Sequence, residues 1–194
     1  MHGNVYKEDA LRITSLIETT LTPRILPSII RPSRRAYIIP PGSNFRYERK
    51  HGDPSNVNHC INYSLFLGDA GDRTLKAKAL ILEQVTHEPA FNQLRSKEQL
   101  GYVVFSGSSR HDTRLAYYVL IQSERTAEYL ESRIDAFLTD YATVLDGMSD
   151  SDFEGHKRAI CNKRMEKLKN LNSETSRLYQ HIIFEYLDFD SGKL

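Results

Sequence analysis

Residues 91–107, FNQLRSKEQLGYVVFSG, contain the change from helix to strand around which the rest of the chain is organised. A polar helical segment carrying Arg95 is followed by Gly101 and then by an apolar strand beginning at Tyr102. Because glycine has no Cβ, we expect Gly101 to let the chain reverse at this corner. The corner would hold a guanidinium and a phenol on rigid elements, where they can bind a peptide backbone or stabilise a developing oxyanion. The alternative at this point is a surface arginine and a half-buried tyrosine at an ordinary helix–strand junction.

Composition limits the classes of function. The chain has 194 residues, a net charge of +1 and two cysteines, Cys60 and Cys161, whose separation fits no metal-binding pattern. The balanced charge predicts no nucleic-acid partner. No apolar run approaches the length of about 20 residues that a membrane span needs. The first ten residues lack an apolar signal core, so we expect a cytoplasmic protein, with a mitochondrial location left open.

Strand patterns are weak at first and then clear. We expect a short strand at 36–39, closed by the turn Pro40-Pro41-Gly42, and an adjoining strand at 45–50. The alternation over 59–67 is stronger and predicts a strand with one apolar face. A polar loop is expected over 108–114. The apolar run 115–122 is then expected to be a strand inside the sheet.

Helical spacing surrounds these strands. Residues 4–21 and the segment from Leu75 to Pro89 have apolar residues at helical spacing, and Pro89 is expected to end the second of these helices. An apolar stripe beginning at Leu130 predicts a further helix. Two more are expected near 151–168 and 173–187. This order of elements predicts an α+β fold, with an antiparallel or mixed sheet and helices packed on one face.

Metal-binding motifs are missing from the sequence. His87-Glu88 is the nearest approach to a zinc motif, but neither H-x-x-E-H nor H-E-x-x-H occurs anywhere in the chain. The sequence therefore predicts no metal ligands and no cofactor bound by this chain alone.

The run LRSKEQLGYVVFSG resembles, nearly residue for residue, a segment in the C-terminal half of the insulin-degrading enzyme (insulysin/pitrilysin) family of inverted zinc metallopeptidases. The resemblance extends over essentially the whole chain and points to a fungal or other eukaryotic member. The other matching stretches are HGN at 2–4, IPPGSN at 39–44, EPAFNQLR at 88–95 and IQSERTAEYLESRIDAFL at 121–138.

The resemblance implies a fold and a domain position. Members of the family are built from four related α+β domains in two halves that close around a peptide. By this comparison, residues 1–21 are the terminal helix of a preceding domain and residues 22–35 are a linker. Residues 36–194 are then the C-terminal peptidase-family domain, without its last helix and strand.

The resemblance also implies a role for three residues. Arg95 would hydrogen-bond the carbonyl groups of the substrate, Tyr102 would stabilise the tetrahedral oxyanion, and Phe91 would line the substrate pocket. The zinc and its H-x-x-E-H motif belong to the N-terminal half, which is therefore an implied partner together with peptide substrates. Homo-oligomerisation is left open. Without zinc ligands the isolated chain is expected to be inactive as an enzyme.

Two functions from different classes follow. The first is the substrate-clamping part of an insulysin-type zinc metalloendopeptidase. The alternative is a non-catalytic structural subunit or peptide-binding module on the same fold. The presence of both Arg95 and Tyr102 favours the first, because a purely structural domain has no chemical need of the pair.

Overall fold

A computed structural model describes residues 2–30, 37, 39–183 and 189. The chain divides into two compact units, one formed by residues 1–34 with 165–194 and the other by residues 35–164. The domain boundaries expected from the sequence stay a prediction.

The sheet of the 35–164 unit has three strands within the described residues. They are β1 (His59–Asp69), β2 (Val103–His111) and β3 (Arg114–Ser123), in the order β1-β3-β2. Both pairings are antiparallel. The expected α+β class is confirmed, and the sheet is antiparallel rather than mixed.

Two helices, α2 (Arg73–Ala90) and α3 (Ala127–Asp146), pack against the sheet together with a π-helix (Phe91–Lys97) that continues α2. A further helix, α4 (Asp150–Met165), follows α3. The buried cluster draws on α2, the π-helix, α3 and the sheet, as an α+β layer arrangement requires. Its members are Ala90, Leu94, Leu100, Val104, Tyr117, Val119, Ile121, Leu130, Ile134 and Phe137.

The central strand shows why the sheet forms. Alternate residues of β3 point into the cluster, as the period of two in a strand dictates. The intervening positions Ala116, Tyr118 and Leu120 are also apolar, and they are buried or half-buried. A polar contact adds to this packing, because the Tyr63 hydroxyl of β1 donates to Asp135 of α3 at 2.8 Å. Burial and this carboxylate raise the pKa of Tyr63 to about 12.

The prediction of a loop over 108–114 is wrong. Strand β2 continues to His111, and a tight turn at Asp112 and Thr113 leads directly into β3. Asp112 has a φ of 52°, a conformation that aspartate tolerates better than most residues. The polar side chains that suggested a loop are thus those of a long hairpin.

Side chains of α2 cover backbone groups of β2, an edge strand of the described sheet. The Ser108 amide donates to Glu83 at 3.2 Å, and His87 Nδ1 lies 3.1 Å from the Ser106 carbonyl oxygen. Covering an exposed edge in this way prevents it from pairing with another chain.

Pro89 does not end its helix, contrary to expectation. It lies inside α2, and the helix widens into π geometry two residues later. Proline cannot donate to the carbonyl four residues before it, here that of Val85. The Tyr141 hydroxyl of α3 donates to this carbonyl instead. A distant residue thus supplies the hydrogen bond that the proline removes.

The strand expected at 45–50 is also wrong, because this segment has no regular secondary structure. It is attached differently, through an ion pair between Arg46 and Glu131 of α3. Of the strand expected at 36–39, residues 36 and 38 lie outside the described residues.

The other unit contains α1 (Lys7–Leu21), a short 3₁₀ helix (Ser28–Ile30) and α5 (Leu171–Ile183). His2 lies 3.4 Å from Glu174 of α5, within this same unit. Helix α5 confirms the last helix expected from the sequence, at 173–187, as far as residue 183. Residues 184–187 lie outside the described part. No helix in that part combines the length and apolar character that a membrane crossing requires.

Candidate functional site

The π-helix carries Arg95. Its wide turns are closed by hydrogen bonds between residues five apart in the chain. One of them runs from the Glu98 amide to the Gln93 carbonyl oxygen at 3.0 Å. Leu94 points inward and is fully buried, whereas its neighbour Arg95 is half-buried. Single-turn π segments occur often at functional sites. Here Leu94 anchors the π-helix in the core, while Arg95 stays at the surface.

The corner after the π-helix is held by close contact between backbones. A Cβ on Gly101 would lie 1.9 Å from the Gln122 carbonyl oxygen, so no other residue fits without movement. The positive φ of the corner belongs to Gln99, at 51°. Gly101 is thus required, but for the approach to β3 and not for the chain reversal expected from the sequence. Strand β2 begins at Val103, so Tyr102 lies in the bend just before it.

A salt bridge ties the corner to α3. Arg133 Nε and Nη2 donate to the two carboxylate oxygens of Glu98 at 2.7 and 2.9 Å, and Gln93 Nε2 donates to the same carboxylate at 2.7 Å. The hydrogen bonds from Arg133 hold the pKa of Glu98 below its usual value, although partial burial opposes them. Bidentate geometry of this kind fixes orientation as well as distance. Glu98, at the end of the π-helix, is therefore firmly positioned.

The structure brings Arg95 and Tyr102 together. The guanidinium carbon of Arg95 lies 5.5 Å from the centre of the Tyr102 ring, within the range of a cation–π interaction. The Tyr102 side chain is 88% exposed. A guanidinium beside an exposed phenol presents several hydrogen-bond donors, as recognition of carbonyl oxygens requires.

Both residues line a cleft of about 460 Å³ at the ends of β2 and β3. The cleft has both polar and apolar lining and opens to the surface. It collects residues from the corner, from the segment before β1 and from the segment between β3 and α3. Its lining consists of Asn58, Arg95, Gln99, Leu100, Gly101, Tyr102, Val103, Gln122, Ser123, Glu124 and Arg125.

Phe91, the third predicted site residue, lies elsewhere. It begins the π-helix, four residues before Arg95, and is about half exposed. It does not line this cleft. Its assignment to a substrate pocket stays a prediction.

Sequence reasoning missed Arg125, which also lines the cleft. The signal lay in the hairpin register, in which Val103 pairs with Gln122. A correct prediction of that hairpin would have brought the residues following β3 beside Tyr102. Because a loop was expected over 108–114, this hairpin and its register were not predicted.

Zinc sites need clustered histidine, cysteine or carboxylate ligands. Within the residues that the structure describes, no group of three or more such side chains is placed to hold a metal ion. These residues therefore do not fit the zinc site that the resemblance implies for the complete enzyme, and no chemistry on a metal is assigned to them.

Comparisons with known proteins agree with the fold and the motifs. Residues 81–179 match the family described as PQQ synthase PqqF-like, C-terminal lobe domain 4. The chain is 42% identical over 178 residues to the A-factor-processing enzyme of Saccharomyces cerevisiae, covering 91% of this chain and 17% of that protein. It is 34% identical over 198 residues to the human insulin-degrading enzyme, covering 98% of this chain and 19% of that protein.

A solved structure shows the same fold. The crystal structure of pitrilysin superposes with a TM-score of 0.72 at 20% identity, over 98% of this chain and 20% of that one. The chain thus spans about a fifth of the length of these relatives. The matched segment in each case includes the corner that bears Arg95 and Tyr102. The chain therefore belongs to the pitrilysin/insulin-degrading enzyme family of zinc proteases, and it corresponds to a portion of the C-terminal lobe.

Proposed function

We propose that this chain is the substrate-clamping part of an insulysin-type zinc metalloendopeptidase. The observation that carries the proposal is the Tyr102 side chain, 88% exposed beside Arg95 in a cleft whose backbone is held in place. Arg95 donates to carbonyl oxygens of the bound peptide. Tyr102 donates to the oxygen that becomes negative as the peptide bond is attacked.

The rigidity of the corner supports this division of roles. Donors aimed in advance at a developing charge stabilise a transition state because they need no reorganisation when the charge appears. The contacts of Gly101 with Gln122 and of Glu98 with Arg133 hold the chain between the two residues of the pair. A solvated surface arginine would need neither contact.

The remaining components of hydrolysis come from outside this chain. A metal site and a general base are expected in the N-terminal catalytic half, which is the proposed partner. The relatives are named for the processing of A-factor and the degradation of insulin. We therefore assign peptides as the substrate class of the assembled enzyme.

A chimaera tests the proposal. This chain replaces the matching segment of the yeast A-factor-processing enzyme, and cleavage of a fluorogenic peptide is measured. Tyr102→Phe removes only the hydroxyl and is expected to lower kcat by roughly 10²–10³, the usual effect of losing one oxyanion donor. Arg95→Gln is expected to raise KM more than it lowers kcat, since it removes contacts made in both ground and transition states.

The control variant is Tyr47→Phe. Tyr47 is equally exposed, at 88%, but lies outside the cleft. We expect its kinetics to match those of the parent chimaera. Parental kcat for Tyr102→Phe, in a chimaera that is folded and active, would contradict the catalytic role and leave the non-catalytic alternative.

A further inference from the structure

A second guanidinium, that of Arg125, lines the cleft. Arg125 follows β3, and its backbone amide donates to the Ser123 hydroxyl at 2.9 Å, which fixes the turn before α3. Its guanidinium carbon lies 5.9 Å from the centre of the Tyr129 ring. An arginine within cation–π range of a tyrosine ring thus occurs twice, as Arg95 with Tyr102 and as Arg125 with Tyr129.

Each guanidinium lies within cation–π range of a tyrosine ring. A contact of that kind uses none of the N–H donors, which point outward in the plane of the guanidinium. Within the described part of the chain, neither arginine forms an ion pair with a carboxylate. Arg46 and Arg133 of the same unit do have such partners.

The charges of the cleft favour an anion. Two guanidiniums face one carboxylate, that of Glu124, which forms no ion pair with either of them. A planar anion with two acceptor oxygens matches the forked donors of arginine better than a carbonyl or a hydroxyl does. Glu124 weakens this preference without cancelling it.

We propose that the cleft binds a carboxylate group of the peptide and that Arg125 determines this specificity. The inference rests on the proposed function and extends it by naming the chemical group that is recognised. Arg95 contributes to binding from the corner side. The carboxylate comes from an acidic side chain or from the C-terminus of a peptide.

The test is an NMR titration of the full chain with three short peptides. The first is acetylated, amidated and carries a central glutamate, the second has glutamine in its place, and the third has glutamine and a free C-terminus. Amide shifts at residues 95–102 and 122–127 report binding to the cleft. We expect the glutamate peptide, the free-acid peptide or both to bind about threefold to tenfold more tightly than the uncharged peptide.

Two substitutions should change this ratio in opposite directions. Arg125→Gln is expected to reduce it to about one, and Glu124→Gln to increase it, since each removes a charge of opposite sign. Arg158→Gln, on the exposed side of α4, is the charge-matched control and should leave the ratio unchanged. Equal affinities for all three peptides, no binding of any, or an unchanged ratio in Arg125→Gln would overturn the inference.

The outcome is separable from the fate of the proposed function. A carboxylate preference that depends on Arg125, combined with parental kcat for Tyr102→Phe in the chimaera, would support this cleft while removing the catalytic role. An impaired Tyr102→Phe enzyme without any carboxylate preference would overturn the inference and leave the clamping function in place.

Discussion

Replacing Gly101 with alanine should destabilise the 35–164 unit and displace the site together. The new Cβ would lie 1.9 Å from the Gln122 carbonyl oxygen and 2.9 Å from its carbonyl carbon. Ordinary van der Waals contact begins at 3.4 Å, so the two backbones must separate by about 1.5 Å. Backbone atoms of a paired strand cannot rotate away as the end of a side chain can.

The expected cost is at the upper end of the range for overpacking, about 3 kcal/mol. Gly155 provides a matched control in the same unit. It lies within α4, and a Cβ there meets nothing within 4 Å. Alanine has the higher helix propensity, so Gly155→Ala is expected to stabilise by about 0.5–1 kcal/mol. Replacing glycine with alanine is thus expected to change the free energy of unfolding in opposite directions at the two positions.

Urea unfolding followed by circular dichroism at 222 nm measures both effects. The chain contains no tryptophan, and tyrosine fluorescence provides a second probe. With an m-value of about 1.5–2 kcal/mol/M, the midpoint of Gly101→Ala should fall by roughly 1.5–2 M. A midpoint equal to that of the wild type would refute the reasoning, because the ends of β2 and β3 would then accommodate a methyl group freely.

Two further predictions concern the contacts around the corner. Tyr141→Phe leaves the Val85 carbonyl without its hydroxyl donor and should cost about 1–2 kcal/mol in urea unfolding, whereas Tyr47→Phe should cost nothing measurable. The pKa of Glu98 is lowered in the fold by Arg133, so its ionised form contributes stability that is fully present above the usual value of 4.5. That contribution is lost as the pH falls through the lower folded pKa, and Glu98→Gln should show a shallower loss of stability on acidification.

The pattern of apolar residues was sufficient to predict three elements. The alternation over 59–67 predicted β1 and the stripe from Leu130 predicted α3, each from the period of its own geometry. The continuous apolar run 115–122 predicted the central strand. The fold class required no more than these segments and their order.

The failures have tertiary causes. Pro89 stays within a helix because Tyr141, far along the chain, satisfies the carbonyl that proline abandons. The polar residues from Ser108 to His111 form a strand because they pair with β3, and Glu83 of α2 accepts from the Ser108 amide on the other side. Neither partner can be identified from local sequence.

For the site, the sequence predicted that Arg95 and Tyr102 lie on one corner. It could not predict that Arg125 lies near them, because that requires the register of the hairpin.

Helix α3 connects the chain segments that carry Arg125 and Arg95. It begins two residues after Arg125, and its second turn carries Arg133, which holds Glu98 at the end of the π-helix. The two segments are thus joined through one helix, in addition to the strand pairing at Gln122. A helix is stiff over two turns, so α3 constrains the separation of the two backbone segments. Because a bidentate pair fixes orientation, the Glu98–Arg133 contact matters for the geometry of recognition even where it adds little to stability.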